Sequence, residues 1–377
     1  MQVKTPIRRL IPLFFLLLAL GCATGPRFSV EALPRFDACF DRKDGWTGGD
    51  GAYSVALSND RILWLFGDTW IGKVRNNRHE DAVIVHNTIA LQQGVEPRCS
   101  GMDFYFPEST EGKPLALIRP ADGKGWVWIY DGIVTAGGLY LFLVQIERTD
   151  NASPFGFRVI GSWLGHVANP DAGPDTWRIT QKRIPFSRFS KRGDRLFGSA
   201  LMRDDGFVYI YGIEEEMIEG RPNKYMIVAR APVHALDDFK EWRFFAGPSW
   251  TRDLSTAKRL FGKAANEYSV SFLPALGRYI VVYTENGVSR NIAARLALRP
   301  WGPWGDPFIL HQCPEADRHP DIFCYAAKAH PALSQRPGKL IVTYIANSMN
   351  FQHMSEDAGL YRPRFLRVTF EGGPKGR

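Results

Sequence analysis

One apolar, aromatic strand signature recurs five times along the chain, and few architectures explain such a recurrence. The copies are RILWLFG (61–67), GGLYLFL (137–143), GFVYIYG (206–212), GRYIVVYT (277–284) and GKLIVTYIAN (338–347). Each follows a polar or glycine-rich segment and a short turn. Anchored on Trp64, Tyr140, Tyr209, Val281 and Val342, the copies stand 76, 69, 72 and 61 residues apart. Four antiparallel strands with their loops need about 40–50 residues, so each step holds one such unit with generous loops. Two β-sandwiches would also supply short strands, but nothing in a sandwich requires one signature to return. The expected fold is all-β, a five-bladed β-propeller formed as a single domain over residues 36–370. The 36 glycines and 25 prolines agree with many short strands and turns.

In a propeller the innermost strand of every blade lines the central channel. The segments preceding the signatures therefore nominate site residues: GGDGAYS (48–54), YDGIV (130–134), FGSALM (197–202), NEYSVSF (266–272) and YAAKAHPAL (325–333). Their axial candidates are Asp50, Asp131, Ser199, Glu267 and the pair Lys328 and His330. Three units place an acid at a matching position and the fifth places basic groups there. A solvated surface would scatter charge without regard to that phase.

The first unit is the most informative. GWTGGDGAYSVALSNDRILWLFGDTW (45–70) predicts a hairpin with strands over 52–57 and 61–66, joined by Ser58, Asn59 and Asp60. Asp50 precedes the first strand and Asp68 follows the second, so the two carboxylates become neighbours although 18 positions separate them. Small glycine neighbours and the flanking Trp46 and Trp70 suit a carbohydrate site. Without the repeats, both acids could equally cap turns. Asn87, in VHNTIAL (85–91), could donate to a sugar hydroxyl or satisfy backbone; His330 could be a site base or a satisfied core imidazole. Of Trp126 and Trp128, one is expected in the core and the other at the channel mouth.

The formal charge of +8 falls to about +5 without Lys4, Arg8 and Arg9, and the remaining basic residues are scattered, which argues against nucleic-acid binding. Residues 1–21 read as a targeting segment, with basic residues before the apolar run Leu10–Leu20. The run ends Leu18-Ala19-Leu20-Gly21-Cys22, which resembles a bacterial lipoprotein signal, with Cys22 the acylated residue and 22–35 a tether. Ordinary cleavage without lipidation is the alternative. The expected location is therefore exported and lipid-anchored to a bacterial membrane, the outer membrane favoured. Cys39, Cys99, Cys313 and Cys324 allow three disulfide pairings; Cys313–Cys324, closing a short loop, is favoured, with Cys39–Cys99 then tying the first blade. No Cys/His spacing reads as a zinc site.

GWTGGDGAYSVAL…LWLFGDTWIG, VHNTIALQQG, NEYSV and YAAKAHPALS resemble a bacterial family of exported five-bladed propellers, once of unknown function, that includes endo-acting D-arabinofuranosidases. The resemblance runs over roughly residues 40 to 350; the tail after Asn347 matches no pattern. It implies that Asp50 and Asp68 are the catalytic carboxylates; on chemical grounds Asp131 and Glu267 would then set the electrostatics, or one of them would replace Asp68 as partner. Trp46, Trp70, Asn87, Tyr268, Lys328 and His330 are the candidate substrate contacts. The implied activity is hydrolysis of a furanose-containing polysaccharide, D-arabinan in the first instance, by a monomer that needs no cofactor. A carboxylate-rich channel would also suit calcium. The rival reading is a non-catalytic propeller lipoprotein that binds glycan or protein.

Overall fold

The computed structural model describes residues 25–96, 98–149, 156–334 and 336–372. The expected targeting segment and Cys22 lie outside these. The described chain is all-β, with two short helices, Pro34–Phe40 and Phe351–Glu356, and several 3-10 turns. All five signatures are the second strand of a sheet, and all five segments before them contribute the first.

The first sheet runs Tyr53–Ala56, Arg61–Phe66, Thr88–Gln93, Met102–Tyr105. The second is Trp126–Thr135, Gly138–Arg148, Phe157–Val167, Ile179–Arg183. The third begins with Arg195–Asp204 and the fourth with Tyr268–Leu273, each followed by its signature strand. The fifth begins with Ile322–Ala329, followed by Lys339–Ser348 and Pro363–Phe370, and its outer strand is Phe28–Ala32 from the other end of the chain. Phe28 pairs with Phe370 and Ala32 with Leu366. Part of the expected tether is therefore a structural strand, paired along the outer edge of the C-terminal strand Pro363–Phe370. A sixth, three-stranded sheet, Asp44–Gly49, Thr69–Arg75 and Arg78–Val85, grows out of the first unit.

The leading strands of the five larger sheets contact one another in chain order, and the turn Pro331–Leu333 after the fifth touches the first. Tyr53 on the first donates to the Ser199 carbonyl on the third at 3.0 Å. The core follows the same cycle. One apolar cluster joins the first four sheets, a second joins the fourth to the fifth, and a third joins the fifth to the first and the small sheet. Strand Arg61–Phe66 shows why the signature is apolar on both faces. Ile62 to Phe66 are all buried, and each large side chain so enclosed contributes about 1.5–3 kcal/mol. Both expected disulfides, Cys39–Cys99 and Cys313–Cys324, are present.

Candidate active site

The hairpin predicted from the first block forms as read, with Tyr53 opposite Leu65 and Ala56 opposite Ile62. Its open end brings the two acids together through backbone: the Asp50 amide donates to the Asp68 carbonyl at 3.1 Å, and the Gly67 amide to the Asp50 carbonyl at 3.1 Å. A Cβ at position 67 would strike Asp50 Oδ1, so glycine is what admits that carboxyl.

The two acids have different surroundings. Asp50 is desolvated. Tyr325 donates to its Oδ2 at 2.8 Å, and the Tyr361 phenol lies beside both the carboxyl and the Tyr325 phenol. Burial, with added repulsion from Asp68 and Glu267, pushes Asp50 well above the ordinary carboxylate range. Asp68 is 25% exposed at the mouth. Its Oδ1 accepts from Trp128 Nε1 at 2.8 Å and lies 2.9 Å from His86 Nδ1, while among the described residues no hydrogen bond reaches Oδ2. His86 stacks on Trp126 at 4.3 Å and Phe157 packs edge-on to Trp128 at 4.8 Å, so aromatic rings line that side.

Glu267 and Lys328 face the same axis. Lys328 is buried, its Nζ donating to the carbonyls of Gly51 and of Ala326 (2.7 Å) and to Glu267 Oε2 at 3.1 Å, and it lies 4.2 Å over the Tyr53 ring. Burial pulls its ammonium below the usual lysine range against the opposing pull of Glu267 and Asp50. It cross-links the first, fourth and fifth sheets and has no hydrogen left for a hydroxyl. Asp131 faces the same group of residues, close enough to Lys328 to feel its charge. Its strand begins five residues earlier, at Trp126, so its phase differs from that of Asp50 and Glu267, which precede their strands. Both its oxygens accept backbone amides, Gly132 at 2.8 Å and Leu201 at 2.7 Å, while burial pushes it to about 7. Ser199 is buried on the third sheet.

Five expected substrate contacts are structural. Trp46 is 1% exposed among Phe40, Phe66 and Phe104 and donates to Thr88 Oγ1. Trp70 is buried, stacked on His79 at 4.5 Å. Asn87 spends its amide on the carbonyls of Ile118 and Val127 and its oxygen on the Ile118 amide, so backbone satisfaction is its role. Tyr268 is buried and donates to the Gly212 carbonyl at 2.8 Å. His330 lies between Ser54 Oγ and Thr343 Oγ1, each at 2.7 Å, and burial pushes it down to about 3. Trp46, Asn87, Tyr268 and His330 each take a nearby internal partner, because leaving a buried polar group unpaired would cost about 1–3 kcal/mol; the buried Trp70 Nε1 alone of the five has no hydrogen-bond partner among the described residues.

Trp126 and Trp128 both sit half-buried on one face, because residues two apart in a strand point the same way; Val127 and Ile129 fill the core instead. Tyr325 and Tyr361 escaped the sequence reading. Tyr325 opens a segment already nominated as axial, but Tyr361 lies in the tail that matched no pattern. Among the described residues, no three of the axial acids bring carboxylate oxygens within 4.8 Å of one another.

The model of a domain of unknown function, DUF5005, matches residues 34–370. No curated protein matches the chain. A crystal structure from Bacteroides ovatus, provisionally described as a hydrolase, shares 22% identity over 90% of each chain with a TM-score of 0.71, which shows a common fold. An endo-arabinase from Bacteroides thetaiotaomicron (12% identity, 89% of this chain and 99% of that one, TM-score 0.47) is a more distant likeness. So is a thermostable family-43 glycoside hydrolase (14%, 90% and 97%, TM-score 0.44). Likenesses that weak leave reaction and substrate open.

Proposed function

The chain belongs to the DUF5005 family, and from that premise we propose that it is a glycoside hydrolase cutting a furanose-containing polysaccharide, with D-arabinan the first substrate to try. The five larger sheets are read as the blades of a five-bladed propeller, and the protein as a lipoprotein, anchored through Cys22 to the outer membrane. The observation that carries the reading is the pair at the open end of one hairpin: a desolvated Asp50 pushed well up, and a partly exposed Asp68 with one oxygen pinned and the other without a partner among the described residues. Two carboxyl groups in opposed environments are what acid-assisted glycosidic cleavage uses.

Asp50 is assigned the proton donor, protonating the leaving glycosidic oxygen as the C–O bond breaks. Asp68 is assigned the second carboxylate. Trp128 and His86 fix its Oδ1, so Oδ2 is the oxygen that attacks the anomeric carbon or takes the proton of an attacking water. Glu267, held by Lys328, keeps negative charge near Asp50 and favours its protonated form. Trp128 and Phe157, beside Asp68, offer apolar faces for sugar rings.

The test is incubation with D-arabinan and other arabinans, with Asp50→Asn and Asp68→Asn as controls. Oligosaccharide release by the parent, lowered about 10²–10⁴-fold in each variant, is the expected result. Glycan that is bound but never shortened would point to a binding propeller, and release indifferent to both substitutions would refute the assignment.

A further inference from the structure

Three residues other than glycine take left-handed backbone around Asp50: Ala52 (φ 50°), Ala326 (φ 55°) and Tyr361 (φ 58°). The other non-glycine examples are Asn, Asp, Glu and Lys residues. Short polar side chains tolerate this region, whereas a bulky aromatic there is an outlier that its surroundings must hold in place. Each of the three is tied to the site. The Ala52 amide donates to the Asp50 carbonyl at 2.9 Å, and the Ala326 carbonyl receives Lys328 Nζ at 2.7 Å. The Tyr361 amide donates to the Ala346 carbonyl at 2.8 Å, and its own carbonyl lies so close to Gly48 that a Cβ there would sit 2.9 Å away. Tyr361 is thus fixed at its backbone while its phenol is set beside Asp50 and Tyr325.

Tyr325 reaches the same carboxyl from the leading strand of the fifth sheet, donating to Oδ2 at 2.8 Å. Asn347 Nδ2 donates to the Tyr325 oxygen at 3.4 Å, which leaves the phenolic hydrogen to point at Asp50. Burial and the neighbouring Asp50 push both phenols well above 10, so both remain O–H donors.

We propose that Tyr325 and Tyr361 are positioning residues forming a two-phenol clamp, Tyr325 donating to Asp50 and Tyr361 held by its backbone against both, that orients Asp50 and stabilises the carboxylate it becomes after giving up its proton. The proposal rests on the reading of Asp50 as proton donor. Desolvation and the facing anions Asp68 and Glu267 hold the proton on; the phenols, with Lys328 beyond Glu267, oppose them. An acid that never released its proton could not protonate a leaving group, so the balance is the function of the clamp. The strained backbone at Tyr361 is the cost of bringing a second phenol in from the end of the chain.

Tyr325→Phe and Tyr361→Phe keep the rings and delete the donors. The measurement is the titration of Asp50 in the full chain, by carboxyl ¹³C NMR of aspartate-labelled protein, with the resonance assigned by its loss in Asp50→Asn. Tyr325→Phe is expected to raise the Asp50 midpoint by about one pH unit, the equivalent of one hydrogen bond, and Tyr361→Phe to raise it in the same direction. A midpoint unmoved in both variants overturns the clamp, and should Tyr361→Phe not fold, Tyr325→Phe alone decides. A shifted midpoint in a protein that cuts no glycan leaves the clamp standing and removes the hydrolase reading; hydrolysis with an unmoved midpoint does the reverse.

Discussion

Replacing Asp131 by asparagine should remove a pH dependence of stability that the parent carries. Burial pushes the Asp131 carboxyl from 3.8 to about 7, even though Gly132 and Leu201 donate to it. A raised carboxyl keeps its proton in the native state while the unfolded chain releases one. Its contribution to stability is therefore complete below about pH 4 and is lost as pH rises through about 7. The shift is about 3 units at about 1.36 kcal/mol each, or about 4 kcal/mol in all, with a slope near 1.4 kcal/mol per pH unit inside that window. Asparagine does not titrate. Whatever the substitution costs at the two amides displaces the variant's curve by a constant and cancels when slopes are compared. Urea unfolding followed by tryptophan fluorescence between pH 4 and pH 8 reads the effect directly. Parent minus variant should fall by about 4 kcal/mol across the range, equivalent to about 5 °C in Tm at the unfolding entropy typical of a chain this long. Parallel curves would mean that Asp131 is ionised in the folded protein throughout, and the account of its environment would be wrong.

Lys328→Met leaves Glu267 and the carbonyls of Gly51 and Ala326 without their shared cation, so a loss of about 3–5 kcal/mol is expected in denaturant titration; unchanged stability would show that the cation does not hold the sheets together. Loop entropy ranks the disulfides. Cys39–Cys99 spans 60 residues and should contribute about 4 kcal/mol, against about 3 kcal/mol for Cys313–Cys324 spanning 11. Paired serine substitutions compared by thermal unfolding should follow that order, and the opposite order would refute the entropic reading.

Much of the architecture was legible because it is local. The signature strands bury both faces, so their apolar runs stand out, and Ser58, Asn59 and Asp60 mark the turn that sets the register of the first hairpin. That register alone makes neighbours of Asp50 and Asp68. Asp131 stands within its strand where Asp50 and Glu267 precede theirs, because the start of that strand is set by pairing with Gly138–Arg148 and not by its own sequence motif.

What the chain by itself determined was the repeating unit, the hairpin and the meeting of Asp50 with Asp68 at its open end, since each follows from strand and turn patterns that are local. Only the tertiary structure decided which polar residues are spent inside the protein. Asn87 is consumed by Ile118 and Val127, His330 by Ser54 and Thr343, and Lys328 by three sheets at once. It also brought Tyr361 back to Asp50 from a tail without pattern, and paired Phe28 with Phe370. Periodicity encodes which way a side chain points; what it meets there is set by segments hundreds of residues away that close around the same axis.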